Sequence, residues 1–244
     1  MAYLKEALEK FPDYPPALLA SLPWDRDPEK RLAALEHLNR LDPDNALGNC
    51  LAAGALLKLG RRDEAFAELQ KSSGKTLDDF MLSSVQNNEE ALLASGVPSA
   101  QAKLMAFCGL NKPLVLELRN LADALETMRG SYQGEGDTQS VGTLRQIQVD
   151  VARQLQDSGC LVDILVGSVI QRKALESEGS EESQARLAEL KEYTQSLTAR
   201  AHQIEALMKD PAVPETDWQY YFDRLKLFGE KAANEWMLGK HQQP

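Results

Sequence analysis

Apolar residues recur three and four positions apart through nearly the whole chain, and no stretch of alternating β-branched residues bounded by hairpin turns interrupts them. That rhythm commits the chain to helices packed on helices. Two segments keep it strictly. Leu114, Leu118, Leu121, Leu125 and Met128 form one seam; Leu187, Leu190, Thr194, Leu197, Ala201, Ile204 and Met208 form another. Such seams pack helices at shallow angles, and the interruption at Thr194 favours an internal helix pair over a long coiled-coil dimer. A monomer or a weak homo-oligomer is expected.

The helices are punctuated by residues that end them: Pro12, Pro43, Gly60, Gly74, Gly96, Gly109, Gly130, Gly159, Gly179 and Pro211. Starts are equally marked. Asp27 precedes Pro28 at a first helical position, while Thr76 with Asp79, and Thr216 with Gln219, have capping-box spacing. Ser131–Thr138, SYQGEGDT, reads as a flexible loop, and Glu176–Ser183, ESEGSEES, as a second. At 244 residues with 43% hydrophobic content, the chain can bury one large core or two smaller ones.

One stretch, Leu56–Leu69 (LLKLGRRDEAFAEL), is a helix, a glycine turn and a second helix with an alanine stripe across it. Ala53 and Leu56 take the small and bulky positions of its first helix, Gly60 the turn, and Ala65 and Leu69 the matching positions of the second. Pro43 in LDPDN closes the preceding unit. This pattern resembles the tetratricopeptide repeat, whose units of about 34 residues stack because none can bury its apolar face alone. Ala7, Leu8 and Pro12 resemble the end of an earlier unit, and Leu35, Leu38 and Pro43 that of the next, 31 residues later. Pro23 in SLPWDRDP shortens the first helix between them. Asn49 stands where an aromatic is usual, Leu77 where a proline is usual, and the signal stops there.

The resemblance covers residues 1–75 and implies an all-α fold: an α-α superhelix of repeat-like hairpins continuing, over residues 76–244, into a helical bundle. It also implies a non-catalytic module that binds a peptide or protein segment in a helical groove. The first helix of each unit lines the concave face in that family, which places Leu47, Cys50, Gly54, Leu57 and Lys58 on the partner-binding face. The asparagine and lysine clamp that some members use for a terminal carboxylate is absent at Cys50 and Gly54. An apolar or extended segment, with one charge contact from Lys58, is the ligand expected.

Chemistry-bearing motifs are sparse. Ser73–Thr76, SGKT, matches the end of a phosphate-binding loop, but the upstream glycine is Leu69 and a helix precedes it where a strand is needed. Asp25, Asp27, Glu29 and Glu36 have calcium-loop spacing, yet the required glycine is Lys30 and Pro28 sits within the loop; capping by Asp27 explains these carboxylates better. His37, His202 and His241 lie apart from one another and from any nucleophile motif, and read as surface or satisfied histidines. Cys50, Cys108 and Cys160 are more than 50 residues apart, which fits neither a disulfide framework nor a zinc site, so buried free thiols are expected. No catalytic residue, metal or cofactor is assigned.

Net charge is −10, distributed as −1 over residues 1–75, −3 over 76–130 and −6 over 131–244, which disfavours nucleic acid as a partner. The longest apolar run, Cys160–Ile170, contains Asp163 and is far shorter than the roughly 20 residues of a membrane span. The opening MAYLKEALEKFP lacks the apolar core of a secretion signal, so the cytoplasm is the default compartment, with export if an upstream signal has been removed. Six of the fifteen aromatics fall in the C-terminal stretch TDWQYYFDRLKLFGEKAANEW. Trp218, Tyr221, Phe222, Leu225, Phe228 and Ala232 are read as one helix face docking as a hydrophobic cap. The alternative function is a helical enzyme or small-molecule sensor, with a pocket between the repeat region and the bundle lined by these aromatics.

Overall fold

The computed structural model describes residues 2–25, 27–108 and 113–241. Among these residues the fold is all-α. The helices are α1 (Ala2–Lys10), α2 (Pro15–Ser21), α3 (Pro28–Leu41), α4 (Ala46–Lys58), α5 (Arg62–Ser72), α6 (Met81–Ala94), α7 (Ser99–Cys108), α8 (Pro113–Gly134), α9 (Thr138–Asp157), α10 (Leu161–Glu176), α11 (Glu181–Met208) and α12 (Glu215–His241). A short 3-10 turn, Leu22–Trp24, follows α2 where Pro23 interrupts it. No helix among the described residues is long and apolar enough to cross a membrane.

The α4–α5 hairpin forms as its residues dictate. Gly60 takes φ +73, its N-H reaches Leu57 O at 3.1 Å, and Arg61 N reaches Leu56 O at 3.0 Å, which together satisfy the last carbonyls of α4. Ala53, Leu56, Ala65 and Leu69 are all buried between the two helices and their neighbours. Asp27 caps α3 through Glu29 N at 3.1 Å, and Asn45 caps α4 through Leu47 N at 3.0 Å.

The next pair to pack on this hairpin is α8–α9, with α8 against α4 and α9 touching α5. One hydrophobic core therefore runs from Leu19 and Leu35 through Leu51 to Leu118, Ile147 and Ile170. The seam on α8 is buried at all five of its positions. Helix α10 then packs against both α8 and α9, so closely at Gly167 that a Cβ there would lie 2.6 Å from Ala152 O.

The α6–α7 hairpin stands aside from this stack and packs on α12. The apolar cluster beneath it is small: Met81 and Val85 of α6, Ala106 of α7, and Cys160 from the α9–α10 turn. It is tied to α12 by charge. Glu89, almost fully buried on α6, accepts from Lys103 of α7 at 2.9 Å and from Lys226 of α12 at 2.5 Å, and Lys103 also bonds Asp223. Burial pushes the Glu89 carboxyl up, but the hydrogen bonds from Lys226 and Lys103 outweigh it and hold the group below the usual carboxylate range.

Several local expectations are corrected. Ser131–Gly134 is the last turn of α8, and Gly130 lies inside that helix; only residues 135–137 form the connection, with Gly136 at φ +78. Tyr132 holds the turn helical by packing on Phe66 and under the Arg62 guanidinium, 3.8 Å from its ring centre. Of the acidic second loop, Ser177–Ser180 is the connection, and Ser180 caps α11. Neither capping box forms: Phe80 precedes α6 with φ +56, Asp79 accepts from Met81 N, and Thr216 lies within the first turn of α12. The break expected at Gly109 lies outside the described residues.

The C-terminal aromatic stretch is not one straight helix. At Gly229 (φ +82, ψ 167) α12 folds back on itself, so that Asp217 meets Lys240 at 2.6 Å and His241 at 2.9 Å, and Tyr221 donates to Asn234 at 2.8 Å. Trp218, Tyr221, Phe222 and Leu225 pack inward, Ala232 is half-buried, and Phe228, beside the bend, is exposed. The bend sits on the α9–α10 turn: Glu230 N donates to Gly159 O at 2.7 Å, and Glu230 Oε2 accepts from Leu161 N at 2.7 Å at the start of α10.

Gly229→Ala forces a side chain into a glycine-only conformation and places Cβ 3.0 Å from Gly159 Cα. It is expected to lower stability by about 1–3 kcal/mol in chemical denaturation, and to speed amide exchange in α12 over α4. For Glu89 the folded carboxyl is depressed, so its contribution is fully present above the ordinary glutamate range near about 4.3 and drains away as the pH falls below it. Glu89→Gln should cost about 1–3 kcal/mol at pH 7 and flatten the acid limb of stability against pH; an unchanged acid limb refutes the assignment.

Candidate functional site

The five residues of the expected partner-binding face lie on α4, and the structure separates them into floor and rim. Leu47 is buried in the core at the start of the helix and is out of reach of a ligand. Cys50, one turn on, is also buried, and forms the base of a notch between α4 and α8. Gly54 and Leu57 are half-buried along its wall, and Lys58 is exposed at its mouth. Four of the five thus share one depression of about 190 Å³.

The opposite wall is α8: Glu117, Asn120, Leu121 and Ala124. The resemblance to repeat proteins carried no information about this wall, because α8 is more than fifty residues away in sequence. The only hint was the leucine seam, which marked Leu121 as core without saying which helix it would meet. Glu117 is held from beneath by Arg31 of α3 at 2.6 Å, so the carboxylate beside the notch is already paired. Gly54 keeps the notch open: a Cβ there would meet only Leu121 Cδ1, at 4.0 Å.

The chemistry of the notch is mild. Cys50 is its one thiol, and burial pushes it up to about 11, against the hydrogen bond from Ser72 and the charge of Lys75, so the thiolate is scarce at neutral pH. Asn49, in place of the usual aromatic, turns away from the notch; its side chain donates to Glu68 at 2.8 Å and accepts from Lys75 at 2.7 Å.

The SGKT segment is consumed by structure. Thr76 N donates to Asp44 O at 3.1 Å, Ala46 N donates to Thr76 O at 2.6 Å, and Gln154 donates to Lys75 O. Asn45 completes the tie, accepting from Asp78 N at 3.1 Å and donating to Asp78 O at 2.8 Å. The segment pins the chain leaving α5 beside the start of α4, and its backbone is not arranged to cradle a phosphate.

The remaining candidates are dispersed. His37 bonds Asp13 at 2.9 Å and His241 bonds Asp217 at 2.9 Å. Asp217 is held below its usual range by the Lys240 hydrogen bond first, then by His241. Asp25 and Asp27 bond backbone N-H groups at the start of α3. Among the described residues no three His, Cys, Asp or Glu side chains gather as a metal-holding group. The C-terminal aromatics do line a depression, but it lies between α7 and the α11–α12 pair, with no residue of 1–75 in its walls.

The cysteines depart from expectation at one position: Cys50 and Cys160 are buried, whereas Cys108 is exposed at the end of α7. A thiol titration with a disulfide reagent at pH 8 should count one reactive group in the native protein and three in denaturant. A second fast-reacting thiol in the native state that Cys50→Ser removes would show that the α4–α8 notch opens to its base.

No protein-family model matches the chain, and none of the curated proteins matches it significantly.

Proposed function

We propose that the protein is a non-catalytic interaction module, which holds an apolar or extended segment of a partner protein along α4, in the notch that α8 completes. In this reading α2–α3 and α4–α5 are tetratricopeptide-like hairpins, α8–α9 extends the same stack toward a superhelix, and α6–α7 is inserted between them. The observation that carries the reading is the grouping of Cys50, Gly54, Leu57 and Lys58, which were chosen from the repeat pattern alone, in one depression facing a second helix. Leu51 and Leu121 give it an apolar base, and Lys58 supplies the charge contact at its mouth. Leu47 belongs to the scaffold beneath.

Gly54 makes the notch testable without damage to the fold. Replacing glycine within a helix gains up to about 1 kcal/mol of helix propensity, and the added Cβ meets only the end of the Leu121 side chain, at an ordinary contact distance of 4.0 Å. A photo-crosslinking amino acid placed at Lys58 should capture a discrete partner in native lysate. Gly54→Leu, which fills the notch, should reduce that capture about tenfold while helicity and melting temperature are retained. The same crosslink pattern with and without Gly54→Leu overturns the proposal.

A further inference from the structure

A second apolar depression lies where α7 faces the end of α11 and the first arm of α12. Two adjoining hollows of about 320 and 160 Å³, with Met208 and Phe222 in the walls of both, make up this trough. It follows α7 from Ala100 to Cys108, a length of about 12 Å at helical rise. Trp218 and Phe222 give it an aromatic base, and Leu104 and Met208, 40% and 46% exposed, stand on opposite sides.

Among the described residues, the charged side chains that line the trough are all carboxylates: Glu205, Glu215 and Glu230. Glu205 bonds the exposed Lys209 at 2.7 Å, which holds its carboxyl below the usual range, and Glu230 accepts from Leu161 N, while Glu215 stands in the first turn of α12. Lys103, on α7, turns away to Glu89 and Asp223.

We propose that this trough docks an amphipathic helix from a partner protein, apolar on one stripe and carrying lysine or arginine along its flanks. Anchors at i, i+4 and i+7 span about 10.5 Å and fit within the length of the trough, passing between Leu104 on one side and Met208 on the other, over Phe222. The basic flanks meet Glu215 and Glu205; an acidic helix of the same shape is repelled. This site is separate from the α4–α8 notch, and either can fail without the other.

The test is selection of displayed random peptides, about four helical turns long, on the intact protein, with counter-selection on Leu104→Glu. Leu104 and Met208 are exposed enough that charge at either position leaves the core intact, and unchanged melting of each variant checks this. The expected outcome is enrichment of peptides with apolar residues at three-four spacing and net positive charge. The best of them should bind at least about tenfold more weakly to Leu104→Glu and to Met208→Glu, and lose affinity as salt rises. Enrichment of acidic or proline-rich extended peptides, equal binding to both variants, or no enrichment overturns the proposal. Concentration-dependent dimerisation abolished by Leu104→Glu also overturns it, and gives the trough to a second copy of the chain.

Discussion

The structure depends on the enclosure of α4. From Ala46 to Ala53 every residue of this helix is buried, and its first charged residue is Lys58 at the end. A helix apolar on all sides is stable in water only when neighbours surround it, and α3, α5 and α8 do so. Each of Leu47, Leu51 and Leu56 contributes on the order of 1.5–3 kcal/mol by leaving water. The two buried polar side chains at its start are fully engaged, Asn45 with the α4 N-terminus and Asp78, and Asn49 with Glu68 and Lys75. Because three neighbours take most of its circumference, Gly54, Leu57 and Lys58 are the α4 residues that stay half-buried or exposed.

That geometry explains how far the sequence could be read. The α4–α5 hairpin rests on local signals: a glycine at positive φ, alanines at the crossing, and caps within three residues of the helix starts. All of these were legible. The packing of α8 on α4 was not, since it joins Gly54 to Leu121 across a contact that leaves no local mark on either segment. The candidate face was therefore half legible. One wall came from the repeat pattern, whereas the other wall, and the loss of Leu47 to the core, depend on which distant helix arrives.

Glycines were ambiguous for a physical reason. At Gly60 and Gly159 the backbone needs positive φ, and both end helices. Gly130 and Gly134 sit within α8, where the packing of Tyr132 on Phe66 and Arg62 sustains the turn against their intrinsic cost. Gly229 carries the opposite lesson. Aromatic spacing ran through it as though the helix were continuous, yet it turns the chain back because Gly159 Cα lies where a side chain would have to be. Phe228 follows the periodicity of Trp218 and Tyr221, and is exposed solely because the bend intervenes.

The α6–α7 hairpin shows what holds a segment with little apolar surface of its own. Only Met81, Val85 and Glu89 of α6 are buried, so a core contribution comparable to that of α4 is unavailable. Its place is set by Glu89 between Lys103 and Lys226, an arrangement whose desolvation cost offsets much of its Coulombic gain, and which therefore fixes position more than it adds stability. Phe107 is the apolar joint, packing on Phe222 on one side and within the small α6–α7 cluster on the other. Helices positioned by directional charge contacts, with a thin core behind them, can leave faces such as Leu104 uncovered without losing their register. In a structure whose main core is closed around α4, that is the physical setting in which a second, independent docking trough can persist.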